Sequence, residues 1–524
     1  MQPILTRDGW TDSKGLKTLR AVNPNTGQEI GETYPVSDWP EVEAMAVAAG
    51  QAFETVRDWP GERFADFLER AADNIDANAD AIAEAAQDET GLGYEPRLRV
   101  GEMGRTVGQL RQAAAAARSG SWRLPTIDTA AGVRSMHVGI GPVFVIGPNN
   151  FPLAFNAIAG GDFAAAIAAG CPVIAKAHPS HPRTSQLLAE AVYEAAQATE
   201  MPPGFVQMLY RCPSDVGLQL LKHPAVASVA FTGSRAAGMS LKETADRLGK
   251  PAFLEMSSIN PVAVLPAAVA SRGGEIAEQF VASCTMGGGQ FCTNPGLVIL
   301  PKGEATEAFV KDLGERFAAA ACPTMLSRGV AEHYGKGLDV LVETGAEIVA
   351  QAEADDSDRI AVRPTLLRVD AATFIKHPAL LQTEVFGPAS LLVVADDADQ
   401  MAEAMAQLEG NLTGCLYADD ADAEAYAQLE PILRRKVGRL LNDKMPTGVA
   451  VSAAMNHGGP FPATGHPGFT AVGLPGSARR FSILASYDNV ADGRLPKELR
   501  DKNPGGVWRM IDGDWTQGDV GSGG

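Results

Sequence analysis

An α/β protein, with a parallel sheet in a first domain and a second α/β domain after it, is the fold class that three features of the sequence predict. Short apolar runs alternate with helical patterns between residues 141 and 265. The alternation resumes between about 275 and 442, and a purely helical stretch from about 38 to 118 precedes both. Strands joined by helix-length connections pair in parallel with helices on both faces, and ligands then bind beyond the carboxyl ends of the strands.

The leading stretch carries Phe64, Phe67 and Leu68, then Ile75, Ala79, Ile82 and Ala85, at three- and four-residue steps, and Gly91 stands where a helix stops. It is expected to form a helical layer over one side of the next domain. In the first alternating region the strand-like runs are 143–146, 173–175, 206–209, 226–231 and 262–265, and the helical segments 153–169, 183–198, 214–222 and 234–248. The second region offers runs at 296–300, 347–350, 365–369, 390–395, 413–418 and 437–441. Residues 122–140 and the tail from about 480 read as an exposed ribbon, which rarely folds alone and is expected to pair with another subunit.

Composition narrows the function. A chain of 524 residues is too long for one hydrophobic core and implies two or three domains. No apolar run approaches the ~20 residues that span a bilayer, and the N-terminus lacks a signal pattern, so the cytosol is the expected compartment. Six cysteines, at 171, 212, 284, 292, 322 and 415, show no CxxC pairing and fit reduced thiols. Eight histidines fall without HExxH or close Cys/His spacing, so no metal site is predicted. A net charge of −19 opposes nucleic acid and anionic membranes, whereas an anionic small substrate requires arginines gathered locally.

The chemistry centres on Thr285-Met-Gly-Gly-Gly-Gln-Phe-Cys-Thr-Asn-Pro-Gly296. Three glycines let backbone approach a ligand, and Cys292 follows outside any periodic element. Cys284, by contrast, shares a helical register with Ile276 and Phe280 and reads as core. Position therefore favours Cys292 as a nucleophile over the packing role that most buried cysteines play.

Three turns follow strands. After 143–146 come Asn149 and Asn150, which either face a ligand or, the better-supported reading on their own, cap a helix. After 226–231, Gly233 permits close approach and Ser234 opens a helix, either for a diphosphate or as an ordinary cap. After 173–175, Lys176 is equally a ribose or phosphate ligand and a solvated loop charge. Glu255, set among apolar and small residues, is a candidate general base.

Taken together, Pro148-Asn-Asn-Phe-Pro152, Phe231-Thr-Gly-Ser234, Glu255-Met-Ser-Ser, Gly289-Gln-Phe-Cys-Thr293 and Glu384-Val-Phe-Gly-Pro388, in this order and spacing, resemble the aldehyde dehydrogenase superfamily. More narrowly, Lys176-Ala-His-Pro-Ser-His-Pro182, Glu255-Met-Ser-Ser-Ile-Asn-Pro261, Gly289-Gln-Phe-Cys-Thr-Asn-Pro-Gly296 and His457-Gly-Gly-Pro-Phe-Pro-Ala-Thr464 resemble the bacterial α-ketoglutaric semialdehyde (2,5-dioxovalerate) dehydrogenases.

The resemblance implies a Rossmann-like cofactor domain (1–121 and 141–257), an α/β catalytic domain (258–455), an oligomerisation ribbon and tail (122–140 and 480–524) and a return segment (456–479). It implies a homodimer or homotetramer. In the implied reaction the Cys292 thiolate attacks an aldehyde, and Asn150 and the Cys292 N–H hold the oxyanion. Hydride leaves to nicotinamide, and Glu255 activates the water that hydrolyses the thioester. Lys176 and Glu384 would bind ribose hydroxyls, Phe386 would pack near the nicotinamide ribose, and Gly233 with Ser234 would meet the diphosphate region. Phe151, Phe155 and Phe291 would wall the substrate pocket.

Two departures matter. Pro179 stands where many NAD-preferring members have a ribose-chelating Glu, and His178 and Arg211 could attract a 2′-phosphate, so NADP is expected, with NAD also usable. Ile259 replaces a lysine near the base. The expected substrate is a small acidic semialdehyde. The alternatives are a longer aliphatic aldehyde, a non-catalytic nucleotide-binding protein of the same fold, and a thiol hydrolase without redox chemistry.

Overall fold

The computed structural model describes residues 1–521 and contains two seven-stranded sheets, a five-stranded sheet and a two-stranded hairpin. In the first large sheet the strands run in the order Ala252–Glu255, Ser228–Thr232, Val143–Ile146, Val173–Lys176, Val206–Leu209, Ile4–Thr6 and Gly9–Thr11. The first five are parallel, and the two from the N-terminus join antiparallel. Pairing places Ile146 opposite both Lys176 and Phe231, and Thr232 opposite Glu255. Lys176, Glu255 and the turn after Ile146 thus share one carboxyl edge, where α/β sheets bind ligands.

The second sheet orders Glu347–Gln351, Thr365–Asp370, Ala389–Ala395, Leu297–Pro301, Val262–Val264, Asn411–Tyr417 and Val437–Asn442, parallel except for its first strand. Ser482–Asp488, Val133–Gly139, Thr126–Asp128, Arg509–Ile511 and Asp514–Thr516 make the five-stranded sheet. The stretches expected to form a ribbon therefore lie side by side in one sheet.

The helical layer forms because its apolar stripes have one face to bury. Phe64, Phe67, Leu68, Ala71, Ala72 and Ile75 of Gly61–Ala77 are all buried, and Phe64 and Phe67 each pack on Phe205 with ring centroids 6.0 Å apart. Such burial contributes roughly 1.5–3 kcal/mol per large apolar side chain. Gly91 ends Ala79–Thr90 with φ of 68°, a left-handed stop that glycine adopts without strain. Beside this layer Glu89 is buried and accepts the backbone N–H groups of Arg183 and Thr184, both at 2.8 Å, at the start of Pro182–Ala198.

Two expectations need correction, and one strand went unforeseen. The run at 262–265 is a strand, Val262–Val264, but of the second sheet. Pro261 and left-handed Asn260 (φ 47°) lead the chain out of the first sheet just before it, and an apolar run does not say which sheet it enters. The missing edge strand of the first sheet is Ala252–Glu255. The helix expected over 153–169 exists only as Gly161–Ala168. Residues 151–160 form turns that fold back on Gly147, where a Cβ would stand 2.7 Å from the Phe155 carbonyl oxygen.

Candidate active site

The glycine-rich turn follows Pro266–Thr285, and Gly287, Gly288 and Gly289 are all left-handed, with φ of 56°, 70° and 68°. A Cβ on Gly289 would lie 2.3 Å from the Gly387 carbonyl, so this turn seats directly against the backbone of the Glu384–Pro388 segment. Cys292 follows. Of the six cysteines it alone is not buried, while Cys284 is fully enclosed, as its register predicted.

Cys292 Sγ lies 3.4 Å from Nε2 of His457, and the same nitrogen lies 3.2 Å from Oε1 of Glu255. Glu255 and His457 are both buried. Glu255 arrives at the end of its edge strand, and His457 on a segment that then pairs with that strand. Met256 N–H donates to the Ala463 carbonyl at 2.8 Å, and Gly465 N–H donates to the Leu254 carbonyl at 2.9 Å. Burial, then the neighbouring Glu255 charge, pushes the Cys292 thiol well above its ordinary value, so at neutral pH it rests protonated. The thiol, imidazole and carboxylate donors come within 4.8 Å of one another, close enough to relay a proton.

Asn150 does not cap a helix. Its side-chain Nδ2 donates to the Gln290 carbonyl at 3.0 Å, and its own carbonyl accepts from Arg97 at 2.8 Å. One Nδ2 proton is left over, and among the described residues nothing accepts the Cys292 backbone N–H. Asn260 completes the frame. Its Nδ2 donates to the carbonyls of Cys292 and Asn294, both at 2.9 Å, and its own N–H and that of Ile259 donate to Oδ1 of Asn411.

A cavity of about 290 Å³ opens over the thiol, lined by Arg97, Arg105, Phe151, Phe155, Cys292 and His457 among others. The three expected aromatics cluster here. Phe151 packs edge-on to Phe155 and Phe291, with centroids 5.3 and 5.4 Å apart. Beside this cluster, Ser257, Ser258 and Glu384 line a second cavity of about 260 Å³, and Ser258 N–H donates to Oε1 of Glu384 at 3.2 Å. Phe386 and Glu384 both border a space that also touches Phe291.

The nucleotide-side residues divide. Gly233 donates its N–H to the Glu255 carbonyl at 3.1 Å, and a Cβ there would meet the Phe231 ring at 2.7 Å. Ser234 is the helix cap, its Oγ accepting the Ala237 N–H at 3.4 Å. Lys176, depressed by burial, keeps only a 3.5 Å contact to the Ala177 carbonyl. Arg211 is exposed. His178 was expected to help attract a 2′-phosphate. Burial, then His181, Lys176 and Arg211, holds it far below the ordinary imidazole range, and its Nδ1 accepts the Ser180 N–H, so it is neutral.

Sequence reasoning missed His457, Asn260, Arg97 and Arg105 as functional residues. The histidine opens the motif His457–Thr464 and Asn260 is the next-to-last residue of the motif Glu255–Pro261, so both carried a motif signal. The arginines lie in a helical stretch read only as a covering layer.

A parallel sheet with a lysine and a carboxylate at one edge, and a cysteine from a second α/β unit brought to that carboxylate through His457, is the arrangement of an enzyme site with a thiol nucleophile. Residues 10–454 match the aldehyde dehydrogenase family, and the chain belongs to it: it is an NAD(P)-dependent aldehyde dehydrogenase. It is 43% identical over 510 residues to α-ketoglutaric semialdehyde dehydrogenase 2 of Azospirillum brasilense, covering 95% of this chain and 96% of that one. It is 39% identical over 513 residues, with the same coverages, to α-ketoglutaric semialdehyde dehydrogenase of Acinetobacter baylyi. The fold matches a mutant aldehyde dehydrogenase C of Pseudomonas syringae solved with NAD+ and octanal (TM-score 0.80, 19% identity, 94% of this chain and 98% of that one). It also matches 1-pyrroline-5-carboxylate dehydrogenase of Thermus thermophilus (TM-score 0.78, 23% identity, 93% and 92%).

Proposed function

We propose that this dehydrogenase oxidises a short acidic semialdehyde, 2,5-dioxopentanoate, to its dicarboxylic acid. One observation carries the reading: the Cys292 thiol and the His457 imidazole, with the Glu255 carboxylate 3.2 Å from that imidazole, line a cavity that also holds two arginines. The names of the two relatives at 43% and 39% identity support the substrate.

In this reading the Cys292 proton passes to His457 Nε2 or to Glu255, and the thiolate adds to the aldehyde carbon. The remaining Asn150 Nδ2 proton and the Cys292 N–H receive the developing oxyanion. NAD(P), when bound, supplies the hydride acceptor that turns the thiohemiacetal into a thioester. Once any thiol proton has left Glu255 for solvent, the carboxylate takes a proton from water as that water attacks the thioester, and Cys292 leaves as a thiolate that is reprotonated by His457 or solvent.

Lys176, Gly233, Ser234, Glu384 and Phe386 fit a dinucleotide: the lysine is nearly unpartnered at the carboxyl edge, Gly233 is a position no Cβ could fill, and Glu384 borders the space beside Phe291. NADP is the preferred form. Pro179 presents no carboxylate, and Arg211, whose charge acts on Lys176, is exposed to meet a 2′-phosphate, while neutral His178 can only donate a hydrogen bond.

The chain works as a homodimer or homotetramer in the cytoplasm. The edge strand Ser482–Asp488 of the five-stranded sheet supports this, because Ile483 and Leu484 are 50% and 60% exposed on it. Among the described residues, no helix is long and apolar enough to cross a membrane.

The deciding measurement is steady-state reduction of NADP and of NAD with 2,5-dioxopentanoate and with pentanal. A larger kcat/KM for the dioxo acid is expected, and better turnover of pentanal would discard the substrate. Cys292→Ala should abolish oxidation while cofactor still binds. Glu255→Gln should give a burst of reduced cofactor and then stall.

A further inference from the structure

Within the cavity over Cys292 the two arginines are not equivalent. Arg97 is committed to the fold through one end: its Nε is buried without a partner, but its Nη2 donates to the Asn150 carbonyl and lies 2.9 Å from Oε1 of Glu102, and its guanidinium stacks 4.1 Å from the Phe151 centroid. Glu102 is itself engaged, its other oxygen accepting the Leu153 and Ala154 N–H groups at 3.1 and 3.2 Å. Arg105 has no such commitment. Its Nε and Nη2 are cut off from solvent with no hydrogen-bond partner, and no carboxylate among the described residues forms an ion pair with it.

Aromatic faces flank the Arg105 guanidinium, Phe155 at 4.8 Å and Phe151 at 5.7 Å, and the carboxylates of Glu102 and Glu255 act on it only through space, without a hydrogen bond. Stacking orients a guanidinium but leaves its N–H donors unsatisfied in the ring plane. A buried cation left without an acceptor is costly, and a planar fork of donors is matched by a carboxylate. Arg105 and the Cys292 thiol line the same cavity, and because Nε and Nη2 are themselves covered, a carboxylate entering it meets them once the guanidinium turns toward the space.

We propose that Arg105 is the anchor for the substrate's carboxylate, gripping the far end of an ω-oxo acid while its aldehyde reaches Cys292. Its unmatched donors then make the site select against neutral aldehydes of equal length, because such a substrate leaves them buried and unpaired. The inference rests on the reading of the substrate as a short acidic semialdehyde and assigns its recognition to one residue. With a net charge of −19 the protein as a whole repels anions, so local cations at the cavity favour an anionic substrate there.

The test compares the wild-type enzyme with Arg105→Met and Arg105→Lys, using 2,5-dioxopentanoate, pentanal, and glutarate as an unreactive competitor against pentanal. Arg105→Met should lower kcat/KM for the dioxo acid by roughly 100-fold or more, mostly through KM, and far more than it lowers kcat/KM for pentanal. Glutarate inhibition should weaken in parallel, and Arg105→Lys, which keeps the charge without the fork, should fall between. Equal losses on both aldehydes, or undiminished glutarate inhibition, would assign Arg105 to structure and overturn the proposal. If the Met variant is not recovered folded, the Lys variant decides by the same ratio. A wild-type enzyme that neither prefers the dioxo acid nor binds glutarate would remove the acidic-substrate reading itself; a wild-type preference that survives in both variants would remove Arg105 alone.

Discussion

Nε2 of His457 stands 3.4 Å from Sγ of Cys292, although 165 residues separate the two in the chain. A single nitrogen lone pair can accept the thiol proton, and the adjacent Glu255 can stabilise the imidazolium that results. His457→Ala should therefore lower kcat/KM by about 100-fold, the usual scale of a lost acid–base group. His457→Gln should do the same if proton transfer is the role. Recovery of normal turnover in the Gln variant, measured by initial rates from pH 6 to 9, would reduce the histidine to packing.

Thiol reactivity should be steeply pH-dependent. Burial and Glu255 raise the Cys292 thiol, so its thiolate fraction grows nearly tenfold for each unit of rising pH through the neutral range. Alkylation by iodoacetamide, followed by peptide mapping, should accelerate towards alkaline pH and fall mainly on Cys292. Cys171, Cys284 and Cys415, pushed to about 11, about 12 and about 12 by burial, should stay unmodified in the folded protein. A flat rate from pH 6 to 9 would show that the thiol is activated before substrate arrives.

Glu89 should give stability a pH dependence of its own. Burial raises its carboxyl from 4.5 to about 7, even though the Arg183 and Thr184 donors favour the charged form. The folded state then binds the proton more tightly than the unfolded one, so stability is full below pH 4.5 and falls as pH rises through about 7. The ceiling on this loss is about 3 kcal/mol. Glu89→Gln should flatten that part of the profile in urea melts at pH 5 and pH 8; an unchanged slope would place the dependence elsewhere.

Asn260→Ala should injure both stability and rate. Its side-chain amide satisfies the carbonyls of Cys292 and Asn294, and its φ of 47° suits asparagine better than alanine. Each buried carbonyl left bare costs about 1–3 kcal/mol. Urea midpoints should fall accordingly, and kcat should drop because the nucleophile's loop loses its tether. Unchanged kcat in a destabilised variant would separate the tether from catalysis.

The central strands were legible because a strand buried on both faces must be a short apolar run between turn residues, and Val143–Ile146 and Val206–Leu209 fall where their runs do. Cys292 was legible by contrast with Cys284, since a helical register distinguishes packing from display. Asn149 and Asn150 misled, because a pair of asparagines before apolar residues looks like a cap; the real helix waits until Gly161, after turns in which Asn156 Nδ2 donates to the Pro152 carbonyl. His457 stood at the head of a motif that was noted without a role, and Arg105 was beyond reach for a different reason. Nothing local marks a loop histidine or a helical arginine as facing a thiol, and only tertiary packing brings them there.

The nucleophile leads into Leu297–Pro301 of one large sheet, while Glu255 terminates a strand of the other, and His457 lies on the segment that crosses between them. Neither half contains a working site by itself. Catalysis is thus a seating gauge: as denaturant loosens the contact between the halves, turnover should vanish while each half still holds its secondary structure, so that activity becomes the earliest reporter of the molecule coming apart.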